Sequence, residues 1–188
     1  VPGGNDPEKI KRWYSIMGDS LNTGMFHHMH HYCWALMRVN RAALPSCNPT
    51  TRRYLLAASL PDFNYIIQNS PDDFVLLPEI LTRKGQTLVR MGEGLPAMKE
   101  LLRAIELKPD YWPPYADISD FYKSKGDLKN ARAILEKGLL SSPDVNALKR
   151  RLAELDSAKG KPNAARESTK KPAPAEMTTQ GEAPTSAQ

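Results

Sequence analysis

Between residues 78 and 145 one pattern occurs twice at a fixed offset. Leu81, Gly85, Leu88, Ala97, Leu101, Ala104 and Pro109 mark the first copy. Tyr115, Ser119, Tyr122, Ala131, Leu135, Gly138 and Pro143 mark the second, each the same distance beyond its counterpart. The order is large, small, large, then small, large, small, then proline. Small residues let two helices cross closely, large ones fill the space around the crossing, and proline cannot continue a helix. Each copy therefore reads as two antiparallel helices, turning at Met91-Gly92-Glu93-Gly94 and at Ser124-Lys125-Gly126-Asp127, glycine-containing stretches suited to a helix end. Such a hairpin cannot bury its apolar face alone, so neighbours must stack. Seven matched positions at one offset argue against a bundle with accidental periodicity.

With its period of about 34 residues, this pattern resembles the tetratricopeptide repeat. The resemblance implies an all-α, right-handed solenoid, and a family that binds other proteins and rarely does chemistry itself. It also implies where a partner would lie, because positions 2, 5, 9 and 12 of each first helix face a concave groove. In the two clear copies these are Glu79, Thr82, Gln86 and Val89, then Pro113, Ala116, Asp120 and Lys123, with Arg90 beside them. Some family members clamp a C-terminal carboxylate with Lys, Asn and Arg. Here the clamp positions hold Thr82, Gln86, Ala116 and Asp120, so that clamp is absent.

A third, divergent copy is expected over residues 25–71. In MFHHMHHYCWALMRVNRA, residues 25–42, Met29, Tyr32, Cys33 and Leu36 fit large, large, small, large. That register places His27, His30, Trp34 and Met37 on the groove, with Arg38 nearby, and makes Cys33 a buried free thiol. Ser59, Phe63, Ile66 and Pro71 fit the second helix, but the interval from Leu36 to Ser59 far exceeds the matching one from Leu88 to Ala97. The excess must loop out around Leu44-Pro45-Ser46-Cys47-Asn48-Pro49 or lengthen the helices, and Pro61 should bend or restart the second one.

The four histidines, at 27, 28, 30 and 31, are the one constellation that could carry chemistry. His27 and His31, one turn apart, have a workable two-ligand spacing for zinc, copper or nickel. No H-E-x-x-H accompanies them, a tight site needs further ligands, and haem attachment through C-x-x-C-H is missing. Groove lining and packing is the plainer role, with no cofactor and no catalytic residue expected. A metal- or haem-handling protein is the competing class.

With 188 residues, one domain plus a tail is the natural count. The net charge of +5 is spread along the chain and no nucleic-acid reading module is present, so a nucleic-acid partner is not expected. An RNA-binding repeat protein is a third class, resting on charge alone. No apolar run is long enough to span a membrane. The start at Val1 and the Ala/Pro/Thr-rich tail lean toward a bacterial periplasmic setting, with cytoplasm the alternative. Cys33 and Cys47 neither demand nor exclude a disulfide.

The expected organisation is a loop and short helix in 1–24, the helix running from Pro7 to Met17 behind an Asp6 cap. The divergent hairpin in 25–71 and clear repeats at 78–111 and 112–145 follow. A capping helix in 146–158 is striped by Leu148, Leu152 and Leu155. The tail at 159–188 is too poor in apolar residues to offset its ordering entropy and reads as disordered. The function expected is a non-catalytic adaptor, assembly factor or accessory subunit holding a helical or extended partner segment in the groove, within a larger assembly or as a self-associating chain.

Overall fold

The computed structural model describes residues 7–8 and 25–159. The expected helix at 7–17, apart from helical Pro7 and Glu8, and the expected disordered tail beyond Lys159 lie outside the described residues. From Met25 onward the described chain is a run of helices: α1 Met25–Ala43, α2 Pro49–Gln68, α3 Leu77–Met91, α4 Gly94–Leu107, α5 Pro113–Ser124, α6 Leu128–Ser141 and α7 Asn146–Lys159. They pair as hairpins α1–α2, α3–α4 and α5–α6. Each following first helix also packs on the helix before it, α3 on α2, α5 on α4 and α7 on α6. Over the described residues the result is an all-α solenoid of stacked helical hairpins.

Close crossings explain the small residues. A Cβ added to Gly85 would sit 2.8 Å from Leu101 Cγ and 3.3 Å from the Ala97 carbonyl oxygen, so α3 touches α4 through bare backbone. At Gly138 a Cβ would meet Leu148 of α7 and Tyr115 of α5, both at 2.9 Å. Around these contacts Leu101, Ala104, Ala131, Leu135 and Leu148 are fully buried. Burying one such leucine contributes about 1.5–3 kcal/mol, so the repeat marks in the sequence are the stabilising contacts themselves. Gly92 and Gly126 end α3 and follow α5 with φ of 85° and 76°, a left-handed conformation that glycine adopts without a steric penalty. Asp127 caps α6 by accepting from the Asn130 N–H at 3.0 Å.

The first hairpin takes up its extra residues by lengthening. α1 has 19 residues and α2 has 20, against 15 and 14 in the next hairpin. The turn between them is short and stitched. Asn48 accepts from the Thr51 N–H at 2.8 Å, while Arg52 donates to the carbonyls of Ala42 and Cys47. α2 runs through Pro61 without a break, where a restart was one expected outcome. Pro61 and Ala57 both lie on the exposed side, where water can serve the carbonyl that loses its donor. Ser59, Phe63 and Ile66 are buried at the helix crossing, with Tyr32, Ala35, Leu77, Ile80 and Leu81 around them.

Candidate functional site

The first helices of successive hairpins form one wall, and polar side chains link them across it. Tyr32 of α1 donates its hydroxyl to Glu79 of α3 at 3.0 Å. Gln86 of α3 donates to Asp117 of α5 at 2.8 Å. Arg151 of α7 donates to Asp120 of α5 at 3.3 Å, and Lys123 lies 4.0 Å from Glu154. Arg83 lies 3.7 Å from Glu79, one turn away. These links recur because the repeat recurs: Arg83, Asp117 and Arg151 stand one repeat apart in succession, and so do Gln86, Asp120 and Glu154.

The wall is electrostatically tuned. Burial, opposed first by the Gln86 hydrogen bond, raises the Asp117 carboxyl above the usual carboxylate range. Asp120 adds to the rise, and Arg151 and Arg83 oppose it. Burial and then Glu79 hold the phenolic protons on Tyr32 and Tyr111. Asp117 is therefore a half-buried carboxylate kept where its charged form is disfavoured, a feature that packing alone does not call for.

The sequence-derived groove residues are placed unevenly. Gln86, Asp120 and Lys123 belong to the wall's links, and Val89 and Arg90 are exposed at the end of α3. Thr82 and Ala116 are buried, and Thr82 spends its hydroxyl on the Pro78 carbonyl at 2.7 Å, so neither offers a surface. In α1 the register differs from the expected one. Ala35 is fully buried against the Phe63 cluster, while Cys33, expected at that small position, is exposed. A shift of two positions is roughly half a turn of helix. It turns the expected face of His30, Trp34 and Met37 away from the one Tyr32 presents to α3. Trp34 and Met37 are 45% and 49% exposed. The Cys33 assignment failed because alanine and cysteine both pass as small residues in a run that offers either.

Tyr32, Arg83, Asp117 and Arg151 take part in the links between first helices and lie outside the groove template. Arg83 and Asp117 each follow a template position by one residue, and their long or polar side chains still reach the wall's links. The recurrence of charge at 83, 117 and 151, in step with the repeat, was the signal in the sequence that marks them.

The described histidines are engaged with α2 or with their neighbours on α1. His31 donates to Asp62 at 2.8 Å, and Arg38 pairs with the other oxygen of this buried carboxylate. His28 lies 3.1 Å from the Tyr65 hydroxyl, and the His31 ring stacks on Tyr65 at 3.9 Å between centroids. His30 meets Trp34 edge-on. His27 lies in α1, and its side chain is outside the described set. Among the described residues no three His, Cys, Asp or Glu side chains converge as a metal site would require. Also among them, no helix is long and apolar enough to cross a membrane.

Stacked antiparallel hairpins with glycine, alanine and serine at their crossings define a helical-repeat solenoid that presents one wall of first helices. Residues 113–145, which span α5 and α6, match the tetratricopeptide repeat family. That match covers one hairpin, and α1–α2 and α3–α4 lie outside it. Among solved structures the chain is similar to the first TPR of Spaghetti (RPAP3) bound to the HSP90 peptide SRMEEVD. That match has 15% identity and a TM-score of 0.48, and covers 68% of this chain and 97% of the other. The comparison with curated proteins gives no match.

Proposed function

We propose that this chain is a non-catalytic interaction protein that holds a segment of a partner protein along the wall built by α3, α5 and α7. It would act as an adaptor or accessory subunit in a larger assembly. The observation that carries the reading is the linked row Glu79, Arg83, Gln86, Asp117, Asp120 and Arg151. These side chains stand on rigid helices and present both charge signs at the repeat spacing.

Energetics favour exchange with a ligand. Exposed ion pairs such as Arg151–Asp120 and Lys123–Glu154 contribute only about 0–1 kcal/mol. A partner can replace either member at little loss and gain a charge-assisted hydrogen bond, worth about 1.5–3 kcal/mol. The helices fix where those groups stand, so little ordering entropy remains to oppose binding. Mixed signs suit a segment of mixed charge whose backbone amides and basic groups meet Asp117 and Asp120, and whose carbonyls or carboxylates meet Arg83 and Arg151. The absence of a clamp at Thr82, Gln86, Ala116 and Asp120 argues against recognition of a C-terminal carboxylate alone.

The test is affinity capture with the parent, with an Arg83→Ala, Asp120→Ala, Arg151→Ala variant, and with an outer-layer control carrying Lys99→Ala, Arg103→Ala and Glu106→Ala. All three should first show equal helicity by circular dichroism. A protein captured by parent and control and lost from the wall variant supports the reading. Loss from the control alone refutes it.

A further inference from the structure

The turns inside the three hairpins lie side by side along one edge of the stack. Met91, at the end of α3, packs against Ala42, Leu55 and Leu56 beside the α1–α2 turn. Gly94, at the start of α4, faces Phe121 near the end of α5, where an added Cβ would lie 2.6 Å from the ring. The connections between hairpins, at 69–76, 108–112 and 142–145, lie at the opposite helix ends and form the other edge. Charge separates between the two. Within three residues of the hairpin turns stand Arg41, Arg90, Lys123, Lys125 and Lys129, against Glu93 and Asp127. Over the same reach of the connections stand Asp72, Asp73, Glu79, Glu106, Asp110 and Asp144, against Lys108. The first hairpin makes the basic edge stronger, because Arg52 and Arg53 open α2 and residues 25–61 contain no carboxylate. Arg41, Arg53 and Arg90 are exposed, and no ion pair among the described residues engages them. Large apolar side chains project from the same edge: Leu95 is 86% exposed, Tyr54 69% and Leu44 52%.

We propose that this edge docks on an anionic lipid surface. Leu44, Tyr54 and Leu95 enter the boundary between headgroups and acyl chains, while Arg41, Arg53 and Arg90 meet the acidic headgroups. Apolar insertion and basic attraction together are what lasting peripheral attachment takes, and this edge carries both. The same surface repels the acidic edge, so the stack docks one way round. Leucines raised at helix ends, with no groove between them, suit a surface that yields around each one. A nucleic-acid strand would call for rings on which bases stack, and Tyr54 is the one aromatic among the three projecting side chains.

Vesicle sedimentation with the full chain tests the proposal. Phosphatidylcholine vesicles with a third phosphatidylserine are compared with phosphatidylcholine alone. One variant carries Arg41→Gln and Arg53→Gln, and a second carries Leu44→Ser and Leu95→Ser. A control carries Leu140→Ser, which removes a leucine 85% exposed near the acidic edge. All are first matched to the parent in helicity by circular dichroism. The parent is expected to sediment with the phosphatidylserine vesicles only. The arginine variant should bind roughly 10-fold more weakly, the leucine variant several-fold more weakly, and the control like the parent. Equal sedimentation with both vesicle types, none with either, parent-like binding by the arginine or leucine variant, or an equal loss from Leu140→Ser would overturn it. Capture of labelled oligouridine that the arginine variant loses, without vesicle binding, would assign the edge to nucleic acid instead. None of these substitutions touches the linked row of α3, α5 and α7, so capture of a protein partner by the wall is read independently.

Discussion

Gly85→Ala probes whether the helix crossings or helix propensity set the stability of this stack. Taken alone, replacing glycine by alanine inside a helix stabilises by roughly 0.5–1 kcal/mol. Here the new methyl would stand 2.8 Å from Leu101 Cγ and 2.9 Å from Leu101 Cδ2, with the Ala97 carbonyl oxygen at 3.3 Å. Leu101 is fully buried and cannot swing out, so the hairpin must splay, at a cost of about 1–3 kcal/mol for overpacking. The net change expected is a loss of roughly 0–2 kcal/mol. Leu101→Ala alone should cost about 2–5 kcal/mol through the cavity it opens. Combined, the two changes relieve each other. The double variant should be more stable than the sum of the singles by roughly 1–3 kcal/mol. Urea unfolding followed by circular dichroism measures all four corners of the cycle. Additive effects, with Gly85→Ala alone raising the midpoint by its full propensity gain, would refute the close-crossing account.

Asp117→Asn should raise stability at neutral pH while weakening partner capture. Burial lifts the folded-state carboxyl above its unfolded value, so protonation favours the fold and the stabilisation it gives is lost as pH rises through the folded pKa. The midpoint gap between variant and parent should therefore shrink as pH falls toward and below the ordinary carboxylate range. A gap that widens on acidification would contradict the assignment. Asp62→Ala should destabilise the first hairpin by about 1–3 kcal/mol, less than a fully buried pair would because Arg38 keeps some solvent access. Thermal unfolding checks it, and an unchanged midpoint would show the His31–Asp62–Arg38 cluster to be incidental. Asn48→Ala, which removes the cap that accepts from Thr51, should cost about 1 kcal/mol, and Asn48→Ser should restore most of it in the same assay.

The repeat core was legible because its marks are steric. Gly85, Ala97, Leu101 and Ala131 follow from how closely two helices can approach, and sequence carries that information directly. The wall was only partly legible. A groove template names positions by geometry, so it takes in Gln86, Asp120 and Lys123, which join the polar links between first helices, together with Thr82 and Ala116, which the packing buries. Arg83, Asp117 and Arg151 lie one residue off the template, and polar side chains reach across that offset. In α1 the residues near the crossing include both Cys33 and Ala35, and the choice between them rests on which fits against Phe63 and Ile66. That is a tertiary contact between helices whose sequence spacing departs from the repeat. The lengthening of α1 and α2 was one of two open solutions to the same excess, and it prevails because the turn at Leu44–Asn48 is closed by Arg52 and Asn48.

The proposed seat for a partner is the wall of first helices, and photo-crosslinking tests that placement most directly. A light-activated crosslinking residue is placed at Val89, exposed on α3, in one variant and at Leu140, exposed on α6 in the outer layer, in another. Both are irradiated in extract of the native organism and probed for covalent adducts. The predicted result is a discrete adduct through Val89 that disappears when Arg83, Asp120 and Arg151 are replaced by alanine, and none through Leu140. A discrete adduct through Leu140 with none through Val89 would contradict it.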